Sequence, residues 1–177
     1  CTTGLHLALL AMGVGPGDEA IVPAFTWIAT ANVVLYCGAT PIFCDIDPLT
    51  YNIDTKEIAK KISSKTKVII AVHLFGLCAD IDEIKNIIPK NKDIKILEDA
   101  ACAAGATYKN NYAGSLGDMG VFSFHPRKSI TTGEGGMITT NTESYYDLAN
   151  VLRNHGAEIS EEVRHNSNKP YLLPEFN

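Results

Sequence analysis

The sequence lacks several features that would place it in a common class of binding protein. Basic residues are in deficit: there are 15 Lys and Arg against 20 Asp and Glu, and the net charge is -5. Because no basic stripe is available to neutralise phosphates, the composition excludes a general nucleic-acid binder. No apolar run reaches the length needed to span a membrane. We therefore predict no nucleic-acid or membrane partner, and we expect any anionic ligand to be held by local groups.

The sequence also lacks signals for cysteine pairing. Five cysteines are an odd number, and no two of them form a C-x-x-C motif. Three of them lie in apolar surroundings, which is typical of reduced thiols that act as small hydrophobic residues. This pattern predicts a cytoplasmic protein. The cysteines are Cys1, Cys37, Cys44, Cys78 and Cys102.

Several motifs of common enzyme classes are missing. No G-x-G-x-x-G follows a predicted strand, and no lysine follows the glycines of Gly133–Gly136 as a Walker loop would require. No G-x-S-x-G elbow is present, which disfavours a serine hydrolase. His125 has no second His or Cys at ligand spacing, so we predict no metal site.

The sequence does contain a regular alternation of short strands and helices. A chain of 177 residues, 46% hydrophobic, is long enough for one domain with its own core. Strands such as Val68–Val72 are β-branched throughout their length, which is typical of a sheet buried on both faces. We predict an α/β fold in three layers, a mainly parallel sheet covered by helices on both faces. A helix from Tyr145 to Arg153 and a polar segment from Asn154 to Lys169 follow it.

Three chemically useful side chains follow predicted strands. His73, Asp99 and Lys128 each lie at or just past the end of one. In open parallel sheets, ligands bind beyond the carboxyl ends of the strands. Lys128 lies in a Gly-rich turn, where partial removal from water would favour the neutral amine that attacks a carbonyl. Cofactors that form Schiff bases need such an amine, although Lys128 considered alone is also compatible with an ordinary surface lysine.

The other candidate residues each have a structural alternative. Asp99 is either the counter-charge of a protonated ring nitrogen or the N-cap of the next turn. Thr2 and Thr3 begin a predicted helix, so with Ser123 they either bind a phosphate or, for the threonines, act as N-caps. Trp27 is the only tryptophan, and it either stacks on a ligand ring or fills the core.

A set of segments in fixed order identifies a family. They include V-P-A-F-T-W-I-A-T, H-L-F-G, E-D-A-A, G-D-M-G-V-F-S-F-H-P-R-K and T-T-G-E-G-G-M, preceded by T-T-G-L-H-L-A-L and G-P-G-D-E. The S-F-H-x-x-K segment followed by G-E-G-G is highly specific. Over nearly its whole length, the chain resembles the DegT-type family of sugar aminotransferases, which are fold-type I enzymes that use pyridoxal 5'-phosphate (PLP).

The resemblance implies roles for individual residues. Lys128 would form the Schiff base with PLP and would later move the proton between the substrate Cα and C4' of the cofactor. Asp99 would pair with the pyridinium nitrogen, and Trp27 would stack on the ring. The residues implied in phosphate binding are Thr2, Thr3 and Ser123.

Cys102 is a departure from the family pattern. Three residues after the aspartate, the family often has Gln or His near the 3'-oxygen of the cofactor. A thiol is a weak donor, so that contact is either lost or taken over by water; we still place Cys102 beside the cofactor. In related dehydratases the lysine is replaced by His, so the presence of Lys128 favours transamination.

The resemblance also implies an activity and an assembly. The activity is transfer of an amino group from an amino acid, glutamate by analogy, to a keto group of a nucleotide-linked deoxy sugar. The alternatives are a PLP-dependent sugar dehydratase and a non-catalytic PLP-binding regulatory protein. Arg127, Arg153 and His155 are candidates for contacts with the anionic nucleotide or are solvated surface charges.

The family forms homodimers with shared active sites. It also implies that residues 1–177 are the PLP-binding large domain, preceded by a further segment and followed by a small domain.

Overall fold

The computed structural model describes residues 1–157 together with residues 162 and 166. The helices among these residues are α1 (Thr2–Ala11), α2 (Ala29–Tyr36), α3 (Thr55–Lys61), α4 (Ile81–Ile87) and α5 (Glu143–Arg153). The strands are β1 (Glu19–Pro23), β2 (Thr40–Cys44), β3 (Thr66–Val72), β4 (Lys95–Asp99), β5 (Thr107–Tyr108), β6 (Asn111–Tyr112), β7 (Met119–Ser123) and β8 (Gly136–Thr140). The polar segment predicted from Asn154 to Lys169 lies largely outside the described residues.

Six of these strands form one sheet in the order β2-β1-β3-β4-β7-β8. Every neighbouring pair is parallel except β7 and β8, which run antiparallel. The prediction of a mainly parallel sheet is therefore confirmed. The order brings the carboxyl ends of β1, β3, β4 and β7 to the same edge.

Helices cover both faces of this sheet. On one face, Leu9 of α1, Val34 of α2 and Ala149 of α5 belong to one buried cluster with residues of the central strands. On the other face, Ile58 of α3 and Ile84 of α4 pack in a second buried cluster. The predicted three-layer arrangement is confirmed. None of the helices in the described part of the chain is long and apolar enough to cross a membrane.

The starts of α1 and α2 concern the candidate residues Thr2, Thr3 and Trp27. α2 begins at Ala29, after Trp27, because Thr26–Ile28 form a turn in which Trp27 O accepts from Thr30 N at 3.1 Å. α1 has Cys1 as its N-cap, with no side-chain capping bond. The expectation that Thr2 or Thr3 is the N-cap is therefore wrong.

A small hairpin was not predicted from the sequence. Between β4 and β7, strand β5 pairs with β6 in a separate two-stranded sheet. Its turn residues, Lys109 and Asn110, have φ values of 47° and 67°. This left-handed backbone gives the turn the twist that a two-residue hairpin needs.

The cysteines are free thiols, as the absence of pairing motifs predicted. Cys37 and Cys44 are buried, Cys1 and Cys78 are partly buried, and Cys102 is exposed. Burial raises the pKa of Cys44 to about 12. Cys44 is therefore protonated and chemically inert, whereas Cys102 is accessible to a ligand.

Candidate active site

A cavity of about 580 Å³ opens at the carboxyl ends of the central strands. Its walls come from the segments after β1, β3, β4 and β7, together with the start of α1. The predicted site residues that line it are Thr2, Trp27, Asp99, Cys102, Ser123 and Lys128. Thr3 instead lines a neighbouring cavity with Gly136 of β8. The sheet thus brings together six of the seven side chains that the resemblance places at the cofactor site.

Asp99 places a buried carboxylate in this cavity. It is 5% exposed, at the end of β4. Oδ2 accepts a hydrogen bond from Thr30 Oγ1 at 2.9 Å, and Oδ1 accepts one from Ala101 N at 3.2 Å. Residues 100–106 form turns, and the bond from Ala101 N means that Asp99 caps the first of them, as the structural alternative predicted, while its side chain also lines the cavity.

The electrostatic state of Asp99 follows from this burial. Desolvation raises the pKa of Asp99 above its ordinary value, and the hydrogen bonds from Thr30 and Ala101 and the charge of Lys128 do not offset it. A cationic partner stabilises the ionised form of such a desolvated carboxylate, because it replaces the stabilisation that water would give. A protonated ring nitrogen supplies both the charge and a hydrogen-bond donor.

Lys128 lines the cavity from the turn between β7 and β8. Its backbone N donates to His125 O at 2.9 Å, which fixes the turn from which the side chain extends. The side chain is partly buried, and Nζ donates to Cys102 Sγ at 3.1 Å. The thiol therefore lies beside Lys128, which is the one lysine of the cavity wall among the residues that the structure describes. An accessible amine at this position can react with a carbonyl.

The start of α1 offers backbone donors to an anion. Leu5 N makes the first helical bond, to Cys1 O at 2.9 Å, so the preceding N–H groups of Thr2, Thr3 and Gly4 have no partner within the helix. Such groups and the helix dipole favour phosphate. Ser123, at the end of β7, is 7% exposed and lines the same cavity. These positions suit the phosphate role that the resemblance implies.

Trp27 is not a core residue. Its side chain is 71% exposed and lines the cavity after β1, so the core-filling alternative is wrong. Phe25 and Phe75, also exposed, lie on the same wall. Phe75 has a φ of 53°, in the left-handed region that few side chains adopt. Exposed rings around a cavity form a surface on which a flat ligand ring can stack.

His73 does not point into the cavity as its position at a strand end suggested. It is 1% exposed, and its Nε2 lies 2.8 Å from Glu98 Oε2. Its Nδ1 accepts from Ala79 N at 3.1 Å, so the ring proton is on Nε2 and is donated to Glu98. His73 is therefore part of a buried structural pair.

The three candidates for nucleotide contacts, Arg127, Arg153 and His155, do not lie together. Arg127 lines the cavity with Lys128, whereas Arg153 lines the neighbouring one. His155 follows α5 with a φ of 59°, and Gly156 N donates back to Val151 O at 2.9 Å. This geometry is that of a helix C-terminal cap.

Residues of the cavity that the sequence did not single out include Thr26, Leu74, Glu134 and Gly135. Thr26 has a usable signal, because it lies four residues before Thr30 in T-W-I-A-T. The other three lie within the family segments H-L-F-G and G-E-G-G, so their signal is membership of those segments. Among residues 1–157, 162 and 166, no group of three or more His, Cys, Asp or Glu side chains is arranged to hold a metal ion.

Comparisons with known proteins all point to one family of aminotransferases. The model of the DegT/DnrJ/EryC1/StrS aminotransferase family matches residues 1–171. A GDP-perosamine synthase of Caulobacter vibrioides is 51% identical over 89% of this chain and 42% of its own length. The chain therefore spans less than half of this relative.

Solved structures show the same fold. An aminotransferase from Psychrobacter cryohalolentis superimposes with a TM-score of 0.87 and 41% identity, covering 94% of this chain and 42% of that one. A Streptococcus pneumoniae protein, solved in its PLP form, superimposes with a TM-score of 0.82 and 37% identity over 88% of this chain and 45% of that one. The fold and the family match confirm the resemblance seen in the sequence: the chain belongs to the DegT/DnrJ/EryC1/StrS aminotransferase family.

Proposed function

We propose that this protein is a PLP-dependent aminotransferase that moves an amino group from an amino acid to a keto group of a nucleotide-linked sugar. The observation that carries the proposal is the single cavity that holds both the amine of Lys128 and the buried carboxylate of Asp99. The similarity to a GDP-perosamine synthase supports the nucleotide-sugar class.

The cavity residues fit PLP by their chemistry. Asp99 is a buried carboxylate whose pKa is raised by desolvation, so a cationic partner would stabilise its charged form. Thr2 and Ser123, with the backbone N–H groups at the start of α1, suit a phosphate. Trp27 offers an exposed ring for stacking. When bound, PLP supplies an aldehyde for an amine and a ring that withdraws electrons from the carbon losing its proton.

The chain's own groups then have distinct tasks. Asp99 holds a positive ring nitrogen in place through charge and hydrogen bonding, since its carboxylate is the buried anion of the cavity. Lys128 Nζ is the amine that would react with the aldehyde, and it would also be the group that takes and returns a proton. Cys102, which contacts Nζ at 3.1 Å, adjoins the position where the ring substituents would lie.

The test is a two-step spectroscopic titration of the whole protein. After loading with PLP and removal of the excess, glutamate is expected to convert the lysine-bound absorbance band to that of pyridoxamine phosphate. Addition of GDP-linked or UDP-linked keto sugars in separate samples is expected to restore the first band and yield an amino sugar by mass spectrometry.

Other outcomes distinguish the alternatives. A PLP band that no amino donor changes would favour the regulatory protein. Release of water from the sugar without nitrogen incorporation would favour the dehydratase. Absence of any lysine-bound band would contradict the assignment of Lys128. The nucleotide whose keto sugar turns over faster identifies the carrier.

We also propose that the protein acts in the cytoplasm as a homodimer with shared active sites. The support is a surface of exposed apolar side chains at the mouth of the cavity, here called the mouth surface: Phe25, Trp27, Tyr51, Phe75 and Leu77. The rings of Phe25 and Tyr51 lie 5.7 Å apart. Asn52 connects the two loops, because its Nδ2 donates to Leu77 O and its Oδ1 accepts from Leu74 N. Clustered exposed apolar groups mark protein interfaces.

A charge placed in the mouth surface is expected to weaken this dimer. Leu77 is 52% exposed and does not line the cavity, so Leu77→Glu should shift the mass measured by light scattering from dimer towards monomer. Leu35→Glu is the matched control, since Leu35 is 57% exposed in the last turn of α2, just before the amino end of β2, and does not line the cavity. A monomeric parent protein, or a Leu77→Glu dimer as stable as the control, would contradict the proposal.

A further inference from the structure

Thr30 is a buried hydroxyl that the proposed chemistry does not yet use. Its residue is 0% exposed, in the first turn of α2. Oγ1 donates to Asp99 Oδ2 at 2.9 Å, which is the shortest hydrogen bond that the carboxylate receives. The buried hydroxyl of Thr30, 69 positions from Asp99 in the sequence, thus donates its hydrogen bond to the Asp99 carboxylate.

A second hydroxyl continues this contact towards the cavity. Thr26 Oγ1 lies 3.2 Å from Thr30 Oγ1, and Thr26 lines the cavity beside Trp27. An ionised Asp99 has no hydrogen to give, so Thr30 must donate its one hydroxyl hydrogen to Oδ2. The bond between the two threonines then has a fixed direction, with Thr26 as donor. The chain of donors therefore runs from Thr26 through Thr30 to Asp99.

The hydrogen bond from Thr30 stabilises the ionised form of Asp99. A hydrogen bond donated to a carboxylate stabilises the ionised state, and burial opposes it. The other contacts are weaker: Ala101 N is 3.2 Å from Oδ1, and the Cys1 thiol is 3.8 Å from it. Among the uncharged donors, Thr30 therefore stabilises the Asp99 carboxylate most strongly, and it also fixes the orientation of the carboxylate plane.

We infer that Thr30 is a positioning residue for PLP, whose hydroxyl keeps Asp99 ionised and oriented towards the ring nitrogen of the cofactor. The inference rests on the proposed use of PLP and adds a residue outside the cavity wall to it. Thr30 does not touch the cofactor; it acts only through Asp99.

The test compares two substitutions in the full-length protein. Thr30→Val removes the hydroxyl and keeps the shape, whereas Thr30→Ser keeps the hydroxyl. The dissociation constant of PLP, measured by titration of the apoprotein, is expected to rise about tenfold in Thr30→Val, as loss of a hydrogen bond to a charged group predicts. In Thr30→Ser it should stay within about twofold.

A double-mutant cycle separates this role from simple packing. In an Asp99→Asn background, Thr30→Val should have no further effect on PLP affinity, because the charge that Thr30 stabilises is gone. An equal loss in both backgrounds would mean that Thr30 acts through the fold, and the inference would be overturned. PLP affinity of Thr30→Val equal to that of the parent would also overturn it.

The pH dependence of PLP binding gives an independent readout. Binding to the pyridinium needs ionised Asp99, so affinity is expected to fall as the pH falls through the pKa of Asp99. Removing the Thr30 donor should move this fall to higher pH. The other ionisable groups that face Asp99 are Lys128, His73 and Cys1, and they are the same in both proteins. Coincident pH profiles for the parent and Thr30→Val would contradict the inference.

Two further controls keep the result interpretable. If Thr30→Val does not yield folded protein, Thr26→Val replaces it; loss of its bond to Thr30 should weaken PLP binding two- to threefold, roughly, and only when Asp99 is present. No effect of Thr26→Val would overturn the inference. If the parent protein itself binds no PLP, the proposed function fails first. If the parent transaminates but the Thr30 variants match it, only the role of Thr30 fails.

Discussion

Lys128→Arg is expected to abolish the lysine-bound PLP band and to reduce transamination at least a thousandfold, roughly the contribution of a positioned acid–base and nucleophilic group. Arginine keeps the positive charge and most of the length of the side chain, but it has no amine that loses its proton in this pH range. The fold should persist, because the Lys128 side chain makes its one described hydrogen bond to Cys102 at the cavity surface.

The measurement is the absorbance spectrum with PLP, followed by single-turnover transfer from glutamate. Lys90→Arg is the matched control: Lys90 is an exposed lysine ahead of β4, at the opposite end of that strand from the cavity. Its spectrum and rate should equal those of the parent. Transamination by Lys128→Arg at a rate near that of the control would refute the role assigned to Lys128.

Glu98→Gln is expected to give the largest loss of stability. Glu98 is 0% exposed and accepts four hydrogen bonds. Oε1 accepts from Leu116 N at 2.7 Å and Gly117 N at 2.6 Å, and Oε2 accepts from Gly114 N at 2.6 Å and His73 Nε2 at 2.8 Å. An amide NH2 in place of either oxygen would face two donors, leaving buried N–H groups without a partner.

The expected cost is about 3 kcal/mol in the free energy of unfolding, from two buried donors left unsatisfied. Chemical denaturation followed by fluorescence of the full-length protein measures it as a lower midpoint. Glu143→Gln is the control, since Glu143 is exposed at the start of α5, and it should change the free energy by less than about 0.5 kcal/mol. Equal midpoints for the two variants would show that the four bonds at Glu98 do not contribute as expected.

The stability should also depend on pH through Glu98. Burial works to raise the pKa of Glu98, but the hydrogen bonds from His73, Gly117 and Gly114 outweigh it, so the pKa in the folded protein is below its ordinary value. Glu98 therefore contributes stability that is fully present above the ordinary pKa of glutamate. That stability is lost as the pH falls through the lowered pKa of the folded state. Glu98→Gln should remove this part of the acid dependence.

The sequence determined much of the fold because its signals are local. β-branched strands separated by helices specify a parallel sheet buried on both faces, and the structure has it. That architecture also places the ends of β4 and β7 at one edge, so the sequence alone predicts a site that contains both Asp99 and Lys128. The family match rests on the same local segments.

Tertiary packing decided which side chains share an environment. Glu98 and Asp99 are adjacent, but side chains alternate across a strand. One lies among backbone donors with a lowered pKa, and the other faces the cavity with a raised pKa. The resemblance assigns a role to Asp99, but nothing in the local sequence shows that the two neighbouring carboxylates have different environments. The difference comes from the partners that each face of β4 meets.

Tertiary packing also explains the environments of His73, Trp27 and Thr30. His73 follows a strand like Asp99, yet its ring is turned into the buried pair with Glu98. Trp27 remains exposed because α2 begins only after it. Thr30 reaches Asp99 because α2 packs over the sheet at that point. Periodicity and motifs thus determined the elements, their order and the edge at which the chemistry lies. The partners of each polar group depend on how distant elements pack, and only the tertiary structure decided them.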